Sequence, residues 1–432
     1  MRRNTRLITL VVLAIMLISI SISGAAKETL TFVYWQDPAA GPIWKEIIDG
    51  FEKENPDIEV KAIVNPADYW TKVLTMVAAG QAPDLMMVDY AFFPAWVTAG
   101  RWAKLDPYIE RTNFDLSDVW EGSLLAGKYE GSYYAIPMDV NNQAIFYNKT
   151  IFDEVGISVP DETWTWDIFR DACMKLTKDT SGTGRIDQYG FSMSLYWEPL
   201  SSWIWNNGGD WFNEDGTKCT VNSPETIEAF QFLADLMLKD EVMPSPTRQT
   251  AMGISGNQLF MTGRIAMWGG GYWDISSFSD IKDYEWDVAP LPYKLIQDGQ
   301  PVRNSTLGGV HLAILENSKH KDAAWKFIEY RLRPEIQLKS SMLGLSMPAL
   351  KSVARGPEFL GQPVPSNLSY LVEGMTYTRP FPANPSFLRI DSEILEPTLD
   401  QLWMGKLDAA ETMSQIVTKA AKILEKAEPF RR

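Results

Sequence analysis

Residues 29–89 read TLTFVYWQDPAAGPIWKEIIDGFEKENPDIEVKAIVNPADYWTKVLTMVAAGQAPDLMMVD. Three apolar runs rich in β-branched and aromatic residues, TLTFVYW (29–35), IEVKAIV (58–64) and APDLMMVD (82–89), have strand length. Between them, IWKEIIDGFEKENP and NPADYWTKVLTMVAAG place apolar side chains at helical spacing, and Gly80 closes the second helix. The order β-α-β-α-β predicts an α/β unit with a largely parallel sheet. Ligands of such sheets sit beyond the C-terminal strand ends. Those ends carry Trp35, Gln36 and Asp37, then Tyr69 after the second strand, then Asp89 and Tyr90.

The pattern continues away from this unit. YYAIPMDVNNQAIFYNK (133–149) predicts two strand pieces broken around Pro137, read as a crossing between domains. Helices are expected in WTWDIFRDACMKL (164–176), EPLSSWIWNNGG (198–209) and SPETIEAFQFLADLMLK (223–239), the last capped by Ser223 with Pro224 in its first turn. FSMSL (191–195) and EWDVAPLP (285–292) are strands, and GRIAMWGGGYWD (263–274) reads as a strand running into a glycine-rich turn. STLGGVHLAIL (305–315) supplies another strand, and the last hundred residues are mostly helical. The length of 432 residues exceeds one comfortable core and suggests two domains.

Composition narrows the function. Arg2, Arg3 and Arg6 precede the apolar run LITLVVLAIMLISISI, and SGAAKE follows, which predicts a signal peptide cleaved after residue 26 and export to a periplasm. The run is shorter than the roughly 20 residues of a membrane span, and no cysteine follows it to carry a lipid anchor. The formal charge of −15, with no basic stretch, argues against nucleic-acid and anionic-lipid partners. Two cysteines, Cys173 and Cys219, leave both a disulfide and a buried free thiol open.

Catalytic chemistry finds little footing. The two histidines, His311 and His320, have no zinc-motif spacing, and no nucleophile elbow or phosphate loop is present. Asp179, Ser181, Thr183 and Asp187 fall at calcium-loop positions, but Gly190 stands where a bidentate Glu is wanted, so a polar loop is the better reading and no metal or other cofactor is expected. Glu198 beside Trp197 is the kind of acid a glycosidase uses, and equally a hydrogen-bonding acid beside a stacking ring. The 17 tryptophans are the unusual feature, because many stand beside Gly, Asn, Asp or Pro instead of inside apolar runs. An indole plate covers the C–H face of a sugar ring while Asp, Glu, Asn and Arg meet its hydroxyls. The patches YWQD, DYAFF, DVNN (with Asp139 and Asn141), YWEP, WIWNN (with Trp205 and Asn206) and GGGYWD (with Trp268, Trp273 and Asp274) supply these parts.

At these residues the chain resembles the family-1 extracellular solute-binding proteins of ABC importers, the group that includes maltose-binding protein. The pieces carrying the resemblance are FEKENPDIEVK, APDLMMVD, YYAIPMDVNNQAIFYNKTIFDEVGI, TWDIF, GRIAMWGGGYWD, GGVHLAILENSKHKDAAWKFIEY and GKLDAAETMSQIVTKAAKIL, in that order along the chain after the leader. The resemblance implies a two-lobed α/β periplasmic binding fold with discontinuous lobes and a ligand cleft between them. Lobe one would hold 27–137 and 307–346, lobe two 138–306 and 347–432, with crossings near 138, 306 and 346–352. It further implies a monomer that binds a small sugar or polyol and delivers it to membrane permease subunits. Trp273 is the expected stacking residue, with Trp268 close by, Trp197–Glu198 before the next helix, and Arg379 of the loop 377–384 as a later contributor, although a salt bridge is the plainer role for that arginine. A secreted carbohydrate-active enzyme and a non-catalytic surface interaction protein are the competing readings.

Overall fold

The computed structural model describes residues 27–35, 41–65, 69–254, 256–344, 346–382, 384–425, 427, 430 and 431. The leader, Gln36 and Asp37 lie outside the described residues. The strands that matter for the site are β1 (Glu28–Tyr34), β2 (Ile58–Val64), β3 (Leu85–Asp89), β4 (Ile136–Pro137), β5 (Asp139–Val140), β6 (Gln143–Asn148), β7 (Tyr189–Met193), β8 (Ile265–Gly271), β9 (Trp286–Ala289), β10 (Val310–Ile314) and β11 (Met347–Pro348). The main helices are α1 (Gly41–Glu54), α2 (Tyr69–Ala78), α3 (Phe93–Thr98), α4 (Trp166–Leu176), α5 (Trp197–Asn206), α6 (Pro224–Leu238), α7 (Lys321–Arg331), α8 (Pro334–Met342), α9 (Glu396–Trp403) and α10 (Ala409–Leu424).

Five strands form the first sheet in the order β2-β1-β3-β10-β4. The first three are parallel, and β10 runs antiparallel to β3 and β4. Both faces are covered, so alternate residues of one strand enter different cores. Phe32 and Met87 pack toward α1 and α7, whereas Val33, Met86 and Val88 pack toward α2 and α3. Trp44, Ile47, Ile48 and Phe51 of α1 bury the stripe their spacing predicted, and Phe51 meets Phe327 of α7 with ring centroids 5.0 Å apart. The edge strand β2 turns Glu59 and Lys61 outward, which blunts edge pairing.

The second sheet has the order β9-β6-β8-β7, antiparallel except for β7 beside β8. Helices α4, α5, α6, α9 and α10 contribute to its large core. Ser223 Oγ accepts the Thr226 N–H at the start of α6, and Asp408 caps α10 reciprocally with Glu411. Two boundaries differ from the sequence reading. Strand β7 starts at Tyr189, because Tyr189 pairs with Ile265 of β8. The glycines 269–271 belong to β8 and pair with Ile145, Ala144 and Gln143, and the turn begins only at Tyr272.

The chain passes between the sheets in neighbouring strips. It leaves the first sheet after β4, and β5 pairs with β11 through Val140–Met347 and Asp139–Pro348. Asn141 and Gly308 exchange main-chain hydrogen bonds of 2.9 and 2.8 Å. The break around Pro137 therefore comprises three short pieces, β4, β5 and β6. Cys173 and Cys219 are both free thiols and both buried. Among the described residues, no helix is long and apolar enough to cross a membrane.

Candidate binding site

A cavity of about 720 Å³ opens where the C-terminal ends of β1 and β3 face the start of α5 and the end of β8. Its first wall is aromatic. Tyr69 Oη donates to the main-chain oxygens of Val33 (3.2 Å) and Met87 (2.8 Å), which fixes the ring at the splayed ends of β1 and β3. Trp35 meets Tyr69 edge-on at 4.8 Å, Tyr69 meets Trp70 at 5.3 Å, and Trp70 meets Phe92 at 5.1 Å. The row continues across the gap, with Phe92 stacked on Phe387 at 6.4 Å and Phe387 edge-on to Trp197 at 5.5 Å.

The opposite wall is built by the glycine strand. A Cβ on Gly270 would land on Asp274 Oδ2 and the Trp268 indole, and one on Gly271 would land on the Trp273 ring. Only bare backbone lets Trp273 and Asp274 fold back over β8 to line the cavity. Asp274 is held by Trp268 Nε1 (2.9 Å), Asn257 Nδ2 (3.0 Å) and the Gly271 N–H (3.3 Å). Burial raises its pKa to about 6 against the pull of those donors. Asp139 accepts the Val310 N–H at 2.8 Å, and burial likewise raises it to about 6 although the buried Arg331 opposes the shift.

Two further carboxylates line the cavity from its two sides. Asp89, at the end of β3, accepts the Ala91 N–H at 2.8 Å, and Glu198, in the first turn of α5, accepts the Tyr196 hydroxyl at 3.2 Å. Burial pushes both pKa values up, and for Glu198 the neighbouring Asp89 charge adds to it. The described lining residues include no lysine, arginine or histidine.

The model for bacterial extracellular solute-binding proteins matches residues 35–338. The chain belongs to that family. Its members bind solutes and are not enzymes. The solute-binding protein is 28% identical over 337 residues to a maltotriose-binding protein of Pyrococcus abyssi, covering 77% of this chain and 69% of that one. An ABC substrate-binding protein of Listeria monocytogenes, solved in complex with cycloalternan, superposes with a TM-score of 0.83 at 27% identity, covering 92% of this chain and 99% of the other. A solute-binding protein of Thermotoga lettingae bound to α-D-tagatose gives 0.79 at 24% identity over 92% and 100% of the two chains, a likeness of fold. The fold of this solute-binding protein is thus the two-domain one of the periplasmic binders.

Nine of the residues singled out from sequence line the cavity: Trp35, Tyr69 and Asp89 on the first sheet's side, Asp139 and Asn141 at the crossing, and Trp197, Glu198, Trp273 and Asp274 on the second sheet's side. Five others lie behind it. Tyr90 is buried with its ring edge-on to Trp197. Trp268 is buried in β8 and reaches the cavity only through the bond it donates to Asp274. Trp205 donates to Asp210 at 2.9 Å, and Arg379 bonds the same carboxylate at 2.8 Å while covering the Trp205 ring. Asn206 exchanges bonds with the main chain of Asn304. Trp205, Asn206 and Arg379 are therefore structural. Helix α5 is buried at all ten positions, so an indole beside Asn and Gly there meets protein and not a cleft.

Sequence reasoning reached Phe92 and Tyr196 only as members of the patches DYAFF and YWEP, and missed Trp70, Asn257, Ser276 and Ser277. Trp70, Phe92 and Tyr196 each adjoin or closely follow a residue that was chosen, and the aromatic doublets YW, FF and YW were the available signal. Asn257 and the serines carry none. In the loop 179–187, Asp179 accepts from Ser181, Thr183 and Gly184, and Asp187 from Thr180. The carboxylates close the loop on itself, and among the described residues no cluster of three metal-ligating side chains forms.

Proposed function

We propose that this protein captures a carbohydrate without an anionic group in the cavity between its two sheets and delivers it to the permease of a membrane ABC importer. The observation carrying this reading is the lining itself, in which aromatic rings alternate with four carboxylates and no basic side chain stands among the described lining residues. Rings cover C–H faces and carboxylates accept hydroxyl protons, whereas a phosphate or uronate would meet like charge. The relatives that bind maltotriose, cycloalternan and tagatose support a sugar ligand.

In this reading the lobes are 27–137 with 307–346 and 138–306 with 347–432, and they close about the crossings near 138, 306 and 346–352. Closure excludes water and strengthens each polar contact. The nine lining residues picked from sequence, joined by Trp70, Phe92 and Tyr196, hold the ligand. The chain is exported by its leader, acts as a monomer in the periplasm, and engages no nucleic acid.

Calorimetric titration of ligand-stripped protein against glucose, maltotriose, myo-inositol and glycerol 3-phosphate tests this. Micromolar or tighter binding of a sugar or polyol without product formation is the expected result. Binding of glycerol 3-phosphate alone would refute the assignment.

A further inference from the structure

The four carboxylates of the cavity are not equivalent. Asp274 is surrounded by three donors, and Asp139 by the Val310 N–H and the buried Arg331. Asp89 and Glu198 take one donor each, and no described residue donates to Asp89 Oδ2 or Glu198 Oε1. The two acids line one cavity from opposite sides, and the Asp89 charge reaches Glu198. Behind Asp89 stands another acid, Asp391, whose pKa is raised to about 7 by burial, by Glu396 and by Asp89 itself. Two neighbouring carboxylates whose burial and mutual repulsion disfavour double ionisation call for a compensating positive charge or a shared proton.

An independent feature says which. Asn141 lines the same cavity with only 6% of its surface exposed, and its Oδ1 has no hydrogen-bond partner among the described residues. It shares a corner with the acid, because a Cβ on Gly308 would stand 2.6 Å from Glu198 Oε1 and 3.2 Å from Asn141 Cβ. Asp89 Oδ2, Glu198 Oε1 and Asn141 Oδ1 are thus three acceptors on one cavity to which no described residue donates. An ammonium group has three N–H donors and no acceptor, and indole faces such as those of Trp35 and Trp70 favour cations.

We propose that the solute carries a protonated amine seated against Asp89, Glu198 and Asn141, so that the ligand is an amino sugar or an aminocyclitol-bearing carbohydrate. This rests on the carbohydrate reading above. The amine replaces the proton the pair would otherwise share, so capture weakens as acid protonates Asp89 and Glu198. Tyr196, Asp391, Asp139 and Asp274 are the other titrating groups around them, and none carries positive charge.

The test is calorimetric titration of the full processed chain with glucosamine and its trimer, against glucose and the N-acetylglucosamine trimer, at pH 7.5 and 5.5. The amine-bearing member of a pair should bind at least tenfold tighter at pH 7.5 and lose affinity at pH 5.5. Glu198→Gln and Asp89→Asn should each erase most of that preference. Equal or tighter binding of the neutral member, or affinity that rises toward pH 5.5, overturns the proposal and leaves the carbohydrate reading intact, with a shared proton in the place of the amine. Failure of amine-bearing and neutral sugars alike overturns both.

Discussion

Tyr90 and Trp197 meet edge to face with ring centroids 6.0 Å apart, one following the last residue of β3 and the other opening α5. The pair joins the two sides of the cavity. Trp197 is buried and also packs on Phe381 and Phe387, so Trp197→Ala should cost about 3–5 kcal/mol of stability. Trp273 lines the cavity and is only partly buried, so Trp273→Ala should change stability by less than about 1 kcal/mol while reducing affinity by roughly tenfold to a hundredfold. Denaturant melts beside titrations of the two variants separate a packing role from a ligand role.

Gly270→Ala should disturb both. The added methyl collides with Asp274 and with the indole that holds it, and Asp274 and Trp273 must move together. Near-ultraviolet circular dichroism should lose tryptophan signal, and ligand binding should fall with it. A variant that keeps wild-type affinity would show that the chain can relieve the contact without moving the cavity wall.

Much of this wall could be read before any coordinates. Trp197–Glu198, Trp273–Asp274 and Asp89 announce themselves because aromatic–acid neighbours at strand ends serve poorly as core. The reading failed where burial cannot be inferred from neighbours. Trp205 and Asn206 resemble cleft residues locally, but they stand at the far end of α5, whose first turn reaches the cavity while its last is enclosed by protein. Arg379 finds Asp210, 169 positions away, through a fold that no local pattern encodes. The glycines of β8 looked like a turn because glycine is rare in strands. Here crowding by Phe191, Met193, Trp268 and Trp273 leaves no room for a side chain.

His311 predicts acid sensitivity. It is buried in β10, its Nε2–H donates to the Ser123 oxygen at 2.9 Å, and Nδ1 has no partner among the described residues. Burial lowers its pKa from 6.5 to about 4. The unfolded chain therefore binds the proton first, and the contribution present above pH 6.5 is lost as pH falls through about 4. One such group accounts for about 3 kcal/mol at most. His311→Asn should flatten the stability profile between pH 6.5 and 4 in chemical denaturation, and an unchanged acid limb would assign the loss to other groups.

Gln337 of α8 is the polar pin of the crossing. Its Nε2 donates to the Met138 oxygen (2.9 Å) and the Arg331 oxygen (2.8 Å), and its Oε1 accepts the Ala349 N–H (2.7 Å). Gln337→Leu leaves three buried main-chain groups unpaired and should cost about 2–4 kcal/mol. Gln337→Glu keeps the acceptor and loses the two donated bonds, so it should fall between. Hydrogen exchange at Ala349 reports the damage directly.

The main-chain pairing of β5 with β11, and of Asn141 with Gly308, has a mechanical meaning. Strips tied edge to edge by ladder hydrogen bonds cannot slide past one another without breaking them, whereas rotating their peptide planes about a shared line costs little. The seam is stiff in shear and compliant in bending, like a fabric fold. In the reading proposed above, in which the molecule bends along this seam, any solute that closes it brings the same outer surfaces to the same relative angle. A membrane partner could then read occupancy from the angle alone, without touching the solute.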